Sequence, residues 1–148
     1  MRAAAPVLAA ALVATPAVAE FPGEAHVAEL ESCLEAADDP ENCKGIISGP
    51  CMKAPAGEAS PDAAQCFAGE RAAWYAVIRD VYADLGARAP DGAHVERLRA
   101  AQSAWVEHRN ADCAMRAGLA DAPRRHEAAC TMEHTAARAI ALIALRGQ

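Results

Sequence analysis

Two side chains of opposite charge sit where apolar residues are expected. At 100° per residue, Val95, Leu98, Gln102, Trp105, Val106, Arg109 and Cys113 fall on one face of a helix, with Arg109 near its middle. Phe67, Glu70, Trp74, Val77, Ile78, Val81 and Leu85 form a second such stripe, with Glu70 inside it. A buried arginine cannot shed its proton, so it must snorkel to water along its own stem or find a carboxylate. A guanidinium and a carboxylate can join through two parallel hydrogen bonds. The stripes therefore predict that Glu70 and Arg109 face each other across a helix pair. Gln102, on the same inner face, can satisfy a nearby group. Thr135 and Arg138, three apart on a later segment, can join that network. The functional alternative is that Glu70 and Arg109 line a site.

No catalytic constellation accompanies these charges. The chain has no G-x-S-x-G, no H-E-x-x-H and no glycine-rich phosphate loop. The histidines (His26, His94, His108, His126 and His134) form no i, i+4 ligand pair and read as surface or capping residues. With no C-x-x-C and no C-x-x-C-H, the cysteines suit neither a zinc knuckle nor a haem attachment. The expectation is a non-enzymatic protein with no metal and no cofactor. Trp74, Trp105 and Tyr82 stand at core spacing and read as packing.

The elements that must position these residues follow an N-terminal leader. Arg2, an apolar run through Val13, Pro16 and the A-x-A of Ala17–Ala19 read as a signal peptide over residues 1–19. That run is too short to span a membrane, and no later stretch is long enough either. No cysteine follows the cleavage point to take a lipid. The expected product is a soluble exported protein starting near Glu20. Losing Arg2 changes 14 basic and 20 acidic residues to 13 and 20, so the net charge moves from −6 to −7. Such an acidic chain is a poor binder of nucleic acid and a better partner for a cationic protein. All six cysteines lie in the exported part, which implies disulfides. Fifteen connectivities are possible; the spacing favours the sequential one, Cys33–Cys43, Cys51–Cys66 and Cys113–Cys130.

Residues 20–65 read as a cysteine-rich, irregular lead-in with one short helix over Val27–Ala37, which Asp38-Asp39-Pro40 can stop while starting a second turn; Gly49-Pro50 and KAPAGEASPD (53–62) are turn material. Residues 66–148 read as a helical domain forming one compact unit with the lead-in. Its three main helices are expected at about Asp62–Leu85, stopped by Gly86, at Ala93–Ala117, stopped by Gly118, and at Arg125–Leu145. The last is apolar nearly all round at its end, through Ile140, Leu142, Ile143 and Leu145, and should be largely buried. The fold class is all-α: a small, disulfide-stapled helical bundle.

Three motifs tie these residues together: C-x3-E-x3-W-x7-Y (Cys66, Glu70, Trp74, Tyr82), L-x2-AQ-x2-W-x3-R-x3-C (Leu98 to Cys113) and C-x4-T-x2-R (Cys130, Thr135, Arg138). Over about residues 66–145 the pattern resembles the LprI-like lysozyme inhibitor family of bacterial envelope proteins, long catalogued as a domain of unknown function. The resemblance implies a small secreted or envelope-attached helical domain with disulfides, some of whose members are linked to lysozyme inhibition. This chain departs from the pattern at Trp74-Tyr75, Ile78-Arg79 and Arg109-Asn110, and in the loop GLADAPRRHEAAC.

Two functions follow as expectations. The first is inhibition of a lysozyme or related muramidase, a class of enzyme that is often cationic. A disulfide-tied loop would be ordered before binding. The candidate loops are 52–65 and 114–129, in which Lys53, Arg124 and Arg125 could reach a cleft whose chemistry depends on two carboxylates. The second is a structural or interaction module of the envelope with a non-muramidase partner.

Overall fold

A computed structural model describes residues 22–54 and 62–148; the expected signal peptide lies outside the described residues. Five α-helices and one short 3-10 turn account for the described elements, with no strand among them: α1 (Pro22–Ala36), the 3-10 turn (Pro40–Cys43), α2 (Ser48–Lys53), α3 (Ala63–Arg88), α4 (Gly92–Gly118) and α5 (Pro123–Arg146). None of these helices is long and apolar enough to cross a membrane.

The helix ends follow local chemistry. Asp62 caps α3 by accepting from the Gln65 amide at 2.8 Å, while the Gln65 side chain accepts from the Asp62 amide at 2.7 Å. This reciprocal box satisfies two backbone donors that would otherwise be orphaned. Asp91 caps α4 through the His94 amide at 2.9 Å. Pro123 begins α5, where its missing N–H costs nothing. Gly86 does not stop α3, contrary to the sequence reading. The helix continues to Arg88 because one interior glycine costs only about 1 kcal/mol. The stop comes at Ala89, which is held extended (φ −61°, ψ 134°) by the proline that follows it.

The lead-in is more ordered than its composition suggests. α1 starts at Pro22 rather than near Val27. Asp39 starts the second turn as expected, capping the 3-10 turn through the Glu41 amide at 3.0 Å. Gly49-Pro50 lies inside α2 rather than in a turn. Leu30, Cys43 and Ile47 are buried in the common core. The central layer is the α3–α5 pair. Trp74, Val77, Ile78 and Val81 of α3 meet Met132, Ala136, Ala139 and Leu142 of α5, whose alanines allow close approach. α1 and α2 pack on α3, and α4 packs mainly on α5.

The end of α5 is only partly covered. Leu142 is buried and Ile140 and Ile143 are half-buried, but Leu145 is 44% exposed. The expectation of a largely buried helix end fails at Leu145, which lines an open hollow with Leu85, Pro90, His94 and Leu98, where the α3–α4 connection leaves the last turn uncovered.

The disulfides are Cys33–Cys43, Cys51–Cys66 and Cys113–Cys130. They tie α1 to the 3-10 turn, α2 to the first turn of α3, and α4 to α5.

Candidate functional site

Glu70 and Arg109 are both buried, at 0% and 5% exposure, but they do not pair. Each is the centre of its own network, on opposite sides of α3.

The Glu70 carboxylate turns toward the lead-in. Its Oε1 accepts from the Gly45 amide at 2.7 Å and from the Trp74 indole N–H at 3.2 Å. Its Oε2 accepts from the Ser48 amide at 2.8 Å and the Ser48 hydroxyl at 2.7 Å. Gly45 has φ 83°, a left-handed conformation that side chains disfavour, and this turn brings both amides to one carboxylate. Ser48 opens α2, which has no side-chain cap of its own, so Glu70 partners an amide that the helix leaves free. Four donors fill the carboxylate's acceptor positions without any cation.

Arg109 is held by neutral groups. Its guanidinium donates to the Tyr75 hydroxyl, to Asn110 Oδ1 from Nε (3.1 Å) and Nη2 (2.7 Å), and to Thr135 Oγ1 at 3.4 Å. It also lies over two rings, 4.9 Å from the Trp105 centroid and 5.3 Å from that of Tyr75. Ring faces are electronegative, so they substitute for part of a carboxylate's attraction. Arg138 uses the other end of Trp105's surroundings. Its guanidinium donates to Gln102 Oε1 at 3.2 Å and to the Tyr82 hydroxyl at 3.0 Å, with Trp105 5.9 Å away. Tyr82 in turn donates to the Leu98 carbonyl at 3.2 Å.

The expected single network is therefore two. Gln102, Trp105, Arg109, Thr135, Arg138 and Tyr82 come together; Glu70 and Trp74 belong to the other. Gly45, Ser48, Tyr75 and Asn110 complete the networks and went unread in the sequence. Tyr75 and Asn110 stand at two places where the chain departs from the family pattern, and that was their available signal. Gly45 and Ser48 lie in a segment without periodicity and gave none.

Asp112, Cys113, Cys130 and His134 have potential ligand atoms within 4.8 Å of one another. Both sulfurs are spent in a disulfide, and Asp112 lies against Arg116 at 2.9 Å and His134 at 3.0 Å. Arg116 holds the Asp112 carboxyl below the usual carboxylate range, against the opposing effect of burial and with help from His134. As oxidised, the cluster offers one carboxylate and one imidazole.

The expected partner-binding residues stand elsewhere. α5 starts at Pro123, so Arg124 and Arg125 occupy its first turn rather than a loop and the residue that begins the helix. Both are exposed, and Arg124 reaches Asp62, the cap of α3, at 3.2 Å. Lys53 is exposed at the end of α2, two residues after the cysteine stapled to α3; residues 55–61 lie outside the described residues. Beside this end is a concave patch of about 610 Å³ between the N-terminal halves of α3 and α5 and the C-terminal half of α4. Gln65, Arg71, Asn110, Arg124, Glu127 and Thr131 line it.

Fold and networks together define a disulfide-stapled, all-α protein built on one long helix pair, with buried charges that serve the scaffold. Within that class the chain belongs to the LprI lysozyme inhibitor family, whose model, described as Lysozyme inhibitor LprI, matches residues 51–142. The match begins earlier than the sequence motifs do and takes in α2 and the Cys51–Cys66 disulfide. No curated protein and no solved structure matches the chain.

Proposed function

We propose that the protein is an exported, non-enzymatic inhibitor of a muramidase, acting through the end of the molecule where α3 and α5 begin. The observation that carries this reading is the placement of Arg124 and Arg125. Cations in the first turn of a helix oppose its dipole by about 0.3–1 kcal/mol each, and the exposed Arg124–Asp62 pair offsets little of that, so folding gives little reason for two of them there. Both are exposed; Arg124 lines the concave patch and Arg125 borders a neighbouring hollow with Asp62 and Pro123, on a scaffold tied by disulfides at Cys51–Cys66 and Cys113–Cys130. A preordered cationic rim loses little entropy on docking. It suits a catalytic cleft that carries two carboxylates. Membership of an inhibitor family and three disulfides support the same reading, including a location outside the cytoplasm.

The test is clearance of a bacterial cell-wall suspension by animal lysozymes and bacterial muramidases, with and without the purified disulfide-bonded protein. The native protein is expected to slow one of them at micromolar excess. The double substitution Arg124→Glu and Arg125→Glu should weaken that effect by roughly tenfold or more, equivalent to about 1.4 kcal/mol of binding. No inhibition of any of these enzymes by the native protein rules the proposal out.

A further inference from the structure

The net charge of this chain is not spread over it. Residues 22–44 carry seven acids (Glu24, Glu29, Glu31, Glu35, Asp38, Asp39 and Glu41) against Lys44, a net −6; the whole chain is also −6, so all the rest sums to zero. α1, the 3-10 turn and the short link between them hold these acids and precede the matched family region, which begins at Cys51. The acids are also little used by the fold. Glu41 pairs with Lys44, but Glu31 and Glu35 make no ion pair among the described residues.

Glu31 and Glu35 are one helical turn apart on α1 and border a groove of about 370 Å³ between α1, α3 and the end of α5. Its floor includes Leu34, Val77 and Ile143, of which Leu34 and Ile143 remain half-exposed; Asp80 stands on the α3 side, where it pairs with the exposed Arg79 at 3.0 Å, so Glu31 and Glu35 are the principal carboxylates of the rim. Arg146 is the one cation of its lining, so the mouth keeps an excess of negative charge. An apolar floor under several carboxylates has a specific chemical complement. A lysine or arginine side chain buries an aliphatic stem and keeps its charged head at the rim. A purely apolar ligand would leave the carboxylates partly desolvated and unpaired.

We propose that this groove docks a basic polypeptide segment, the stem of one lysine or arginine lying on Leu34 and Ile143 and its charge between Glu31, Glu35 and Asp80. The surrounding acids of α1 and the 3-10 turn steer such a partner toward it. The groove is a different surface from the arginine-bearing end. Asp80 lies sixteen residues along α3 from Ala64 of that end, or about 24 Å at the helical rise.

The probe is a fluorescent synthetic peptide of alternating lysine and leucine, titrated by anisotropy into the full disulfide-bonded protein at about 0.15 M salt, where charges more than about 8 Å apart are largely screened. Two double variants carry the same charge change: Glu31→Lys with Glu35→Lys in the groove, and Glu24→Lys with Glu29→Lys elsewhere on α1. All four positions are exposed, and a retained cooperative melting transition shows that each variant folds, with a loss of about 0.3–1 kcal/mol expected for Glu24→Lys in the first turn of α1. The groove variant should weaken binding by roughly tenfold or more, and the other by no more than about threefold, in line with loss of a specific contact against loss of long-range attraction. Isotope-edited spectra should show the peptide shifting the methyl signals of Leu34 and Ile143. No binding by the native protein, equal losses in the two variants, or methyl shifts confined to other residues would overturn the proposal. No muramidase enters the measurement, so this proposal and the inhibitor reading fail separately.

Discussion

The two faces of the α3–α5 pair solve the same problem by opposite means. Toward α2, a single buried anion collects four short, directional donors, two of them backbone amides. Toward α4, two arginines spread their charge over hydroxyls, amide oxygens and the faces of Trp105 and Tyr75. Among the described residues neither Glu70 nor the two arginines use a buried ion pair. The difference teaches what each charge is for. A carboxylate that accepts backbone amides fixes the path of a connecting segment, here the turn between Cys43 and α2. An arginine that lies on rings and reaches several oxygens fixes a helix that lacks apolar side chains. Of the α4 stripe only Arg109 and Cys113 are fully buried, while Val95, Leu98, Gln102, Trp105 and Val106 are half-covered. Polar contacts and one disulfide therefore carry much of that helix's attachment.

The most severe way to break the comparison is Glu70→Ala. It leaves the Gly45 and Ser48 amides, the Ser48 hydroxyl and the Trp74 indole without their acceptor in a dry interior. Each buried donor left unsatisfied costs about 1–3 kcal/mol, so the loss should reach several kcal/mol. Glu70→Gln keeps the shape but replaces an acceptor with a donor, so an intermediate loss is expected. Urea denaturation at neutral pH measures both. A loss under about 1 kcal/mol for Glu70→Ala would show that water reaches those donors, since buried unsatisfied groups cost at least about that much each.

Next is Arg109→Met, expected to cost about 1–3 kcal/mol. This is less than the loss at Glu70, because Thr135 keeps its own acceptor in the Thr131 carbonyl at 2.6 Å and Asn110 is exposed. The informative experiment is the cycle. Glu70 and Arg109 share no partner, so Arg109→Met and Glu70→Gln should add within about 0.5 kcal/mol. Arg109→Met and Tyr75→Phe should not add, because those side chains touch. A rescue of Arg109→Met by Glu70→Gln would restore the direct pair that the sequence suggested.

That mistaken pair marks where sequence reasoning stops. Periodicity placed Glu70 and Arg109 inside buried stripes, and both are inside. A stripe gives a direction around one helix axis but not the identity of the neighbour, and the reading supplied the most obvious one, an opposite charge. The true partners of Glu70 come from Gly45 and Ser48, whose positions depend on a left-handed glycine and on the Cys33–Cys43 and Cys51–Cys66 staples on either side. No local pattern encodes that. The sequential cysteine spacing, by contrast, was informative because each bridge joins elements close in the chain. The long helices were legible for the same reason, except where a proline rather than the nearest glycine decided an end.

A smaller effect separates scaffold from surface on the arginine side itself. Arg109 and Arg125 are both arginines near α5, yet only the first is built in. Arg125→Glu should raise stability by about 0.3–1 kcal/mol, by placing an anion at the positive end of α5, while weakening any muramidase inhibition. Thermal melting and the cell-wall assay on the same sample check the two signs together. A variant that loses stability would show Arg125 to be a structural contact, and the contrast with Arg109 would disappear.

The subtlest expected difference lies at the far end of α4, in the pH dependence of the Asp112 contact. Arg116, with His134, keeps Asp112 ionised more readily than a free carboxyl. Its folded pKa thus lies below its unfolded value. The contribution to stability is present above the unfolded value, about 3.9, and is lost as pH falls through the folded one. Asp112→Asn removes the ionisation, so the native protein's advantage should be constant near neutrality and shrink below about pH 4. The effect is small because Arg116 is largely exposed, and salt should reduce it further. Melting temperatures of native and Asp112→Asn proteins across this acid range provide the measurement. Asp91, also held low through His94 at the other end of α4, serves as the comparison. If the native–variant gap stays level through the acid range, the Asp112 contact is packing alone, and α4 is held by its arginines and its disulfide without help from this carboxylate.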